Sequence, residues 1–497
     1  MNSRTFSMST NAIGRIEAAE WLDGPAYTLA NAAALPHRLA GRTGQQTRNV
    51  LHGTWFGHPL HPMLVTIPIG TWTLALGLDT LEAERGDKGQ EYGRAADLAI
   101  QVGAAGAVVA AAAGLADWLQ SHGRARRVGL VHAAVNSTAL GLQLISVALR
   151  RSGRRSDGRL TSAAAWGAMF VGGYLGGHLV YRHRQGVDQA DRSVEPRDFV
   201  PVLLAGDLPE DRPRRILVRD EVEHADVPVV LVRHRGRIFA LGARCSHMGG
   251  PLDEGWVLGG GLVCPWHGSR YDLESGEPLD GPSTCPQPRY RTRVRGGLIE
   301  IRREQEPGAA VVPADTAAGR SSGEAGSAAA ASLGRKADEV LFEHHELLRG
   351  MFRRIEDLPP EEPQRRDLLR TLASELEIHE DIEDAIFYPA VRAVSEDVPV
   401  AYAEHQQLAD LLAATLKLPT SSAEFEEHLR VLHQAVDHHA SSEEHSMFRE
   451  AQRLGERRLR ELGHALETML EAERTSRFQR AFRELKISLL EGVGRGT

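Results

Sequence analysis

Four stretches without a single Asp, Glu, Lys or Arg constrain this chain more than anything else in it: Leu60–Leu78, Leu98–Ala116, Val128–Leu149 and Leu160–Tyr181. Each runs 19 to 22 residues, and a helix needs about 20 apolar residues to cross a ~30 Å hydrocarbon layer. Charged residues stand at every boundary but the first (among them Asp79, Asp97, Asp117, Arg150, Arg159 and Arg182). Small residues crowd the second and fourth stretches (Gly103, Ala104, Ala105, Gly106; Gly172, Gly173, Gly176, Gly177), and in lipid these let helix backbones approach. Residues 50–185 are therefore expected to form an all-α domain of four membrane-spanning helices in contact with membrane lipid, after an N-terminal extension over 1–49. A soluble bundle of Ala-rich core helices is the alternative. The first 40 residues carry no apolar run and cleavage site of a secretory signal. Lys and Arg divide evenly between the two ends of the helices, so charge leaves the orientation open. We expect a bacterial-type inner membrane with the soluble parts in the cytoplasm, since those parts carry thiols and iron-type ligands.

Within the apolar stretches stand His61, His132 and His178, where an ionisable side chain is costly. Two of them could serve as axial ligands of a haem; otherwise they cap helices or bond across the bundle. The run Gly57-His58-Pro59-Leu60-His61-Pro62 resembles a motif of a bacterial integral-membrane family of unknown function with four helices. That resemblance implies no chemistry.

The rest of the 497 residues exceeds what one further core organises. Only three cysteines occur, all between Cys245 and Cys285, which excludes a disulfide scaffold and fits a reducing compartment. The net charge is -8 with no strongly basic block, so no nucleic-acid partner is expected.

Residues 198–303 read as all-β, with hairpins through Arg235-Gly236 and Gly296-Gly297. Among these short strands come Cys245-Ser246-His247 and Cys264-Pro265-Trp266-His267. One Cys and one His on each of two loops allow two thiolates to hold one iron and two imidazoles another; zinc is the competing reading. The pattern, with Gly268-Ser269-Arg270-Tyr271-Asp272 after it, resembles the Rieske [2Fe–2S] family, whose mixed ligation raises the potential. The resemblance implies a cluster on Cys245, His247, Cys264 and His267, with Ser269 and Tyr271 donating to its sulfurs. The respiratory members' extra loop cysteines correspond here to Gly250 or a neighbour and to Trp266, so the ferredoxin-type branch is the nearer match. Cys285 has no ligand role in this reading.

Residues 304–334, rich in Ala, Gly and Ser, are expected to be a flexible tether. Four helical segments follow, around Glu343-His344-His345-Glu346, His379-Glu380-Asp381-Ile382-Glu383, Glu404-His405 and His439-Ala440-Ser441-Ser442-Glu443. His and Glu four apart share a helix face, and such helices can turn N and O donors into one bundle centre. The pattern resembles the hemerythrin-like (HHE) family over 335–455. This resemblance implies a non-haem di-iron site on His344, His379, Glu383, His405, His439 and Glu443, with the two glutamates bridging. His345 and His438, one residue off, rank second. Ala409 stands where oxygen carriers have a further histidine, which favours iron sensing or reaction with O2, NO or peroxide over oxygen carriage. A helical tail occupies 456–497.

These parts lead us to expect a membrane-tethered redox protein, an oxidoreductase or electron-transfer protein, in which the cluster exchanges electrons with the di-iron site. Its redox partner would be a quinol, a flavoprotein reductase or a ferredoxin. A non-enzymatic sensor of O2, NO, iron or redox state is the alternative.

Overall fold

The computed structural model describes residues 12–191, 193, 196–219, 226–304 and 335–492; the expected tether lies outside them beyond its first residue. The chain packs as two compact units. One comprises the residues up to Ala190 with Arg244–Leu252 and Gly261–Gln287. The other comprises Asp191–Ala243, Asp253–Gly260 and the residues from Pro288 on.

In the first unit, α1 (Asp23–Ala40) and α2 (Arg42–His52) precede four long helices: α3 (Thr66–Arg85), α4 (Gln90–Leu119), α5 (Gly123–Arg151) and α6 (Arg155–Tyr181). Their packing inverts that of a water-soluble bundle. Leu74, Leu98, Val108, Ile145, Leu160 and Phe170 point outward, from 53% to 72% exposed, while Ala75, Ala96, Ala113, Ala139 and Ala165 are buried. A Cβ on Gly103 would lie 2.3 Å from Trp72 Nε1, and one on Gly172 2.4 Å from Asn136 Oδ1, so bare backbone is what lets these helices close. Charges turn inward in pairs. Arg150 sits between Asp79 (2.5 Å) and Asp97 (3.0 Å), and Arg155 between Glu82 (2.5 Å) and Asp97 (3.0 Å). An apolar environment tolerates ions only when paired in this way.

Among the described residues, two helical stretches are long and apolar enough to cross a membrane: Leu60–Leu119, which a turn at Gly86–Gly89 folds into α3 and α4, and Gly123–Arg151. In α6, Gly167, Gly172, Gly173, Gly176, Gly177 and His178 dilute the apolar content of the fourth expected span. The described part of the N-terminal extension packs with this domain. Asp23 of α1 pairs with Arg127 at 2.6 Å, and Ala26 and Ala30 pack on Trp118 and Leu119.

The second unit opens with β-structure: β1 (Val200–Leu204), β2 (Arg214–Arg219), β3 (Asp226–His234), β4 (Arg237–Gly242) and the short β5 (Trp256–Leu258). The strands β6 (Gly261–Val263), β7 (Arg270–Asp272) and β8 (Pro278–Asp280), all of the first unit, pair antiparallel in that order. In the second unit, β9 (Arg289–Arg295) and β10 (Leu298–Arg303) complete an antiparallel sheet of order β1-β10-β9-β4-β3-β2. Both expected hairpins form. Arg235 and Gly236, and then Gly296 and Gly297, take the positive φ that a two-residue turn demands. Alternate residues Val227, Val229 and Leu231 join Val218, Ala240, Tyr290, Ile299 and Ile301 in the core.

Four amphipathic helices follow in the same unit: α7 (Ala337–Glu356), α8 (Gln364–Ile382), α9 (Val398–Leu416) and α10 (Ala423–Ser442). Leu341, Leu348, Phe352, Leu369, Leu372, Leu376, Leu429 and Leu432 fill the bundle. Both α8 and α10 run into a π turn, Glu383–Phe387 and Glu443–Met447. The tail forms α11 (Glu456–Thr475) and α12 (Arg477–Gly492), held to the bundle by pairs such as Arg474 with Glu375 and Lys486 with Glu377.

Candidate metal centres

The cluster loops are built alike. Cys245 N donates to Gly250 O (2.8 Å) and Gly249 N returns to Cys245 O (2.8 Å). In the second loop Cys264 N donates to Ser269 O (2.9 Å) and Gly268 N to Cys264 O (3.1 Å). Gly249 and Gly268 both have positive φ, the reason a glycine follows each cysteine by four. A Cβ on Gly250 would lie 2.9 Å from Cys264 Sγ and 3.1 Å from Trp266 Cγ. Glycine under tryptophan thus brings the loops together, and none of the three cysteines is in a disulfide.

His247 and His267 meet at right angles with ring centroids 4.9 Å apart. Burial pushes His247 down to about 3 and His267 well below the usual imidazole value, so both are neutral, the form that ligates a metal. Burial also raises the Cys264 thiol. For Cys245 burial acts the same way, but hydrogen bonds from Cys264, Tyr271 and the backbone of His247 and Met248 outweigh it and lower that thiol. Two buried thiols and two neutral imidazoles on facing loops fit a [2Fe–2S] cluster. His247 Nδ1 is buried with no hydrogen-bond partner among the described residues, as a metal ligand should be. Tyr271 OH lies 3.1 Å from Cys245 Sγ, in keeping with its expected role. Ser269 Oγ accepts from Ser283 N at 3.0 Å, which leaves its O–H available to donate. The hydroxyl beside Tyr271 is that of Ser246, at 2.9 Å.

In the helical bundle, His345, His379, Glu383 and Glu443 each bring one donor atom within 4.8 Å of the others, and Glu383, His405 and His439 do the same. Glu383 belongs to both groups, the arrangement a bridging carboxylate needs. His345 Nε2 lies 3.5 Å from Glu443 Oε2, and His379 Nε2 3.5 Å from Glu383 Oε1. Those four buried atoms have no hydrogen-bond partner among the described residues, a cost that a metal ion would remove. His405 Nε2 lies 3.2 Å from both Glu383 Oε2 and His439 Nε2. Burial opposes charge on His439, but Glu443, Glu383 and Glu404 outweigh it and raise that imidazole to about 10. Metal uptake must therefore release protons.

One expected ligand is corrected. His344 does not enter the donor group, and His345 takes its place. Successive helix residues point about 100° apart, and the register of α7 turns His344 to Glu375 at 3.1 Å. His438 stays outside, 3.3 Å from Glu404. Glu443 joins only the first group. Its second oxygen accepts from Tyr388 OH at 2.7 Å, and this phenol also reaches His405 Nε2 (3.0 Å) and Glu383 Oε2 (3.2 Å). No motif in the sequence marks Tyr388 for this place. Behind the ligands, Glu444, Asp384 and Glu404 hold the outer nitrogens of His345 (2.9 Å), His405 (3.2 Å) and His439 (2.9 Å), fixing the rings.

The haem expectation finds no support. His61 Nδ1 donates to Ala110 O (2.8 Å), His132 Nδ1 pairs with Gly172 O (2.9 Å), and His178 Nε2 meets Glu17 Oε1 (2.9 Å). These imidazoles bond across helices or to the N-terminal segment.

Comparison with known proteins agrees with this division. Three family descriptions match in order: "Predicted membrane protein (DUF2231)" over 57–189, "Rieske [2Fe-2S] domain" over 198–291 and "Hemerythrin HHE cation binding domain" over 336–451. The uncharacterized protein Rv2633c of Mycobacterium tuberculosis is 35% identical over 109 residues, 22% of this chain and 68% of the relative. The anthranilate 1,2-dioxygenase ferredoxin subunit of Burkholderia cepacia is 34% identical over 74 residues, 15% of this chain and 68% of that subunit. A solved hemerythrin HHE cation binding domain-containing protein, the Rv2633c homolog from Mycobacterium kansasii, is 31% identical, covering 31% of this chain and 99% of that one, with a TM-score of 0.28.

The chain is thus a multidomain iron–sulfur and iron-binding protein, of redox or sensor kind. It belongs, through the corresponding domains, to the Rieske proteins and the hemerythrin HHE proteins, and over residues 57–189 it matches the DUF2231 membrane-protein description.

Proposed function

We propose that this is a membrane-tethered redox protein in which the Rieske cluster exchanges electrons with a di-iron site that meets O2, NO or peroxide. The observation that carries the proposal is the double donor group sharing Glu383, which calls for two metal ions side by side. Bound there, iron supplies one-electron chemistry toward small oxidants; the cluster supplies or takes single electrons. The chain's own residues hold and neutralise: Glu383 and Glu443 offset metal charge, Glu404 and Asp384 orient imidazoles, and Tyr388 keeps a proton beside both carboxylates. Inside the second unit the segment around β5 touches the bundle. Gly259 N donates to Glu427 Oε1 at 2.8 Å, and Glu254 stands 3.9 Å from His438, which shares Glu404 with His439.

The four long helices with apolar outer faces support four membrane passes, and cysteines outside any disulfide support a cytoplasmic side for the soluble domains. A quinol, a flavoprotein reductase or a ferredoxin is the redox partner in this reading. Mixing the reduced full-length protein rapidly with O2 tests it. Cluster oxidation should slow by about tenfold or more in His379→Ala and His439→Ala. Equal rates in the parent and both variants would refute the coupling. A sensor, by contrast, would bind the oxidant and show no sustained consumption with a donor supplied.

A further inference from the structure

The outer nitrogen of His267 does not face open solvent. Within the first unit His122, at the head of α5, brings its Nε2 to 2.5 Å from His267 Nε2, with ring centroids 4.7 Å apart and planes within 16°. The centroid separation exceeds the N–N distance by about one ring width, so the rings meet nose to nose in nearly one plane. That is a hydrogen bond between imidazoles rather than a face-to-face stack. The other nitrogen of His122 is buried and has no partner among the described residues. Among the described residues the ring's hydrogen bond goes to His267 alone, at the cost of an unpaired second nitrogen.

The surroundings hold this meeting in register. Asn49 of α2 donates to Asp280 Oδ1 (2.9 Å) and accepts from Gly281 N (3.0 Å). A Cβ on Gly281 would lie 2.6 Å from Thr54 Oγ1, and Gln189 N donates to Ser246 O (2.9 Å). His52, the last residue of α2, is buried and fixed by Asp117 at 3.0 Å.

We propose that His122 is a positioning residue for the Rieske centre: it caps the outer nitrogen of His267, tunes the cluster's potential through that hydrogen bond and closes the approach by which a soluble electron carrier would touch this ligand. The proposal rests on the cluster reading above. Its consequence is that the imidazole edge of the cluster communicates with the membrane domain.

The test uses the full-length protein in detergent as wild type, His122→Gln and His122→Ala. EPR of the dithionite-reduced wild type comes first; absence of a Rieske signal removes the cluster reading itself and is recognised as such. Diethyl pyrocarbonate labelling read by peptide mass spectrometry then compares His267 with His464, which lies on an exposed helix face. Wild-type His267 should label at least about tenfold more slowly than His464, the worth of one hydrogen bond, and His122→Ala should abolish that protection. EPR-monitored titration should find the potential shifted in His122→Ala and largely restored in His122→Gln. Wild-type labelling of His267 at the rate of His464 would overturn the proposal, as would a potential unchanged in His122→Ala. Should the Ala variant fail to assemble its cluster, wild-type labelling and the Gln variant decide alone.

Discussion

His344 and His345 are adjacent, both are buried, and only one of them can face the bundle centre. The segment Glu343-His344-His345-Glu346 offers two near-equal registers, and nothing local separates them. What decides is a partner distant in sequence: Glu375, with Arg474 behind it, captures His344. Tyr388 was hidden for the same reason, since an aromatic after a ligand helix reads as core until its hydroxyl is located. The Rieske ligands were legible because each loop carries its whole turn, from cysteine to glycine, within five residues. At this scale the account predicts that His345→Ala lowers bundle iron from about two per chain to one or less, while His344→Ala leaves it near two. Metal analysis of the two variants checks this.

At the scale of elements, the four charge-free stretches announced helices with apolar outer faces, and the hairpin turns were visible as Arg-Gly and Gly-Gly pairs. The π turns were not. Their extra residue follows each ligand glutamate at equivalent places, Glu383 and Glu443, and such turns recur at functional sites. They arise from packing around the ligands rather than from a propensity the sequence displays. The tail helix α11 was legible as a helix and its docking was not. Burial tends to raise Glu375, but His344 and Arg474 outweigh it and hold that carboxyl at about 2, below the ordinary 4.5. A carboxylate depressed on folding stabilises fully above its unfolded value, and that share is lost as pH falls through its folded value. Acid titration of the bundle's thermal stability should therefore show a loss between about 4.5 and 2. Glu375→Gln should be less stable at neutral pH by about 1 kcal/mol, a modest figure because the pair is partly solvated. The gap between parent and variant should close below pH ~2. A constant gap across that range would contradict the assignment.

At the scale of the molecule, three domain types could be read in order along the chain, because each carries its pattern locally. How they touch could not. The meeting of His122 with His267 joins residues 145 apart in sequence, and that of Gly259 with Glu427 joins residues 168 apart. Long-range pairing of this kind leaves no periodicity to find. The central claim is that one polypeptide carries two chemically distinct iron centres, one with inorganic sulfide and one without. Iron and acid-labile sulfide quantitation on the membrane-purified full-length protein tests it most directly. The account predicts about four iron and about two sulfide per chain, falling to about two iron with sulfide unchanged in His379→Ala. Equal iron and sulfide in the parent protein, or sulfide lost together with the bundle's iron in that variant, would contradict it.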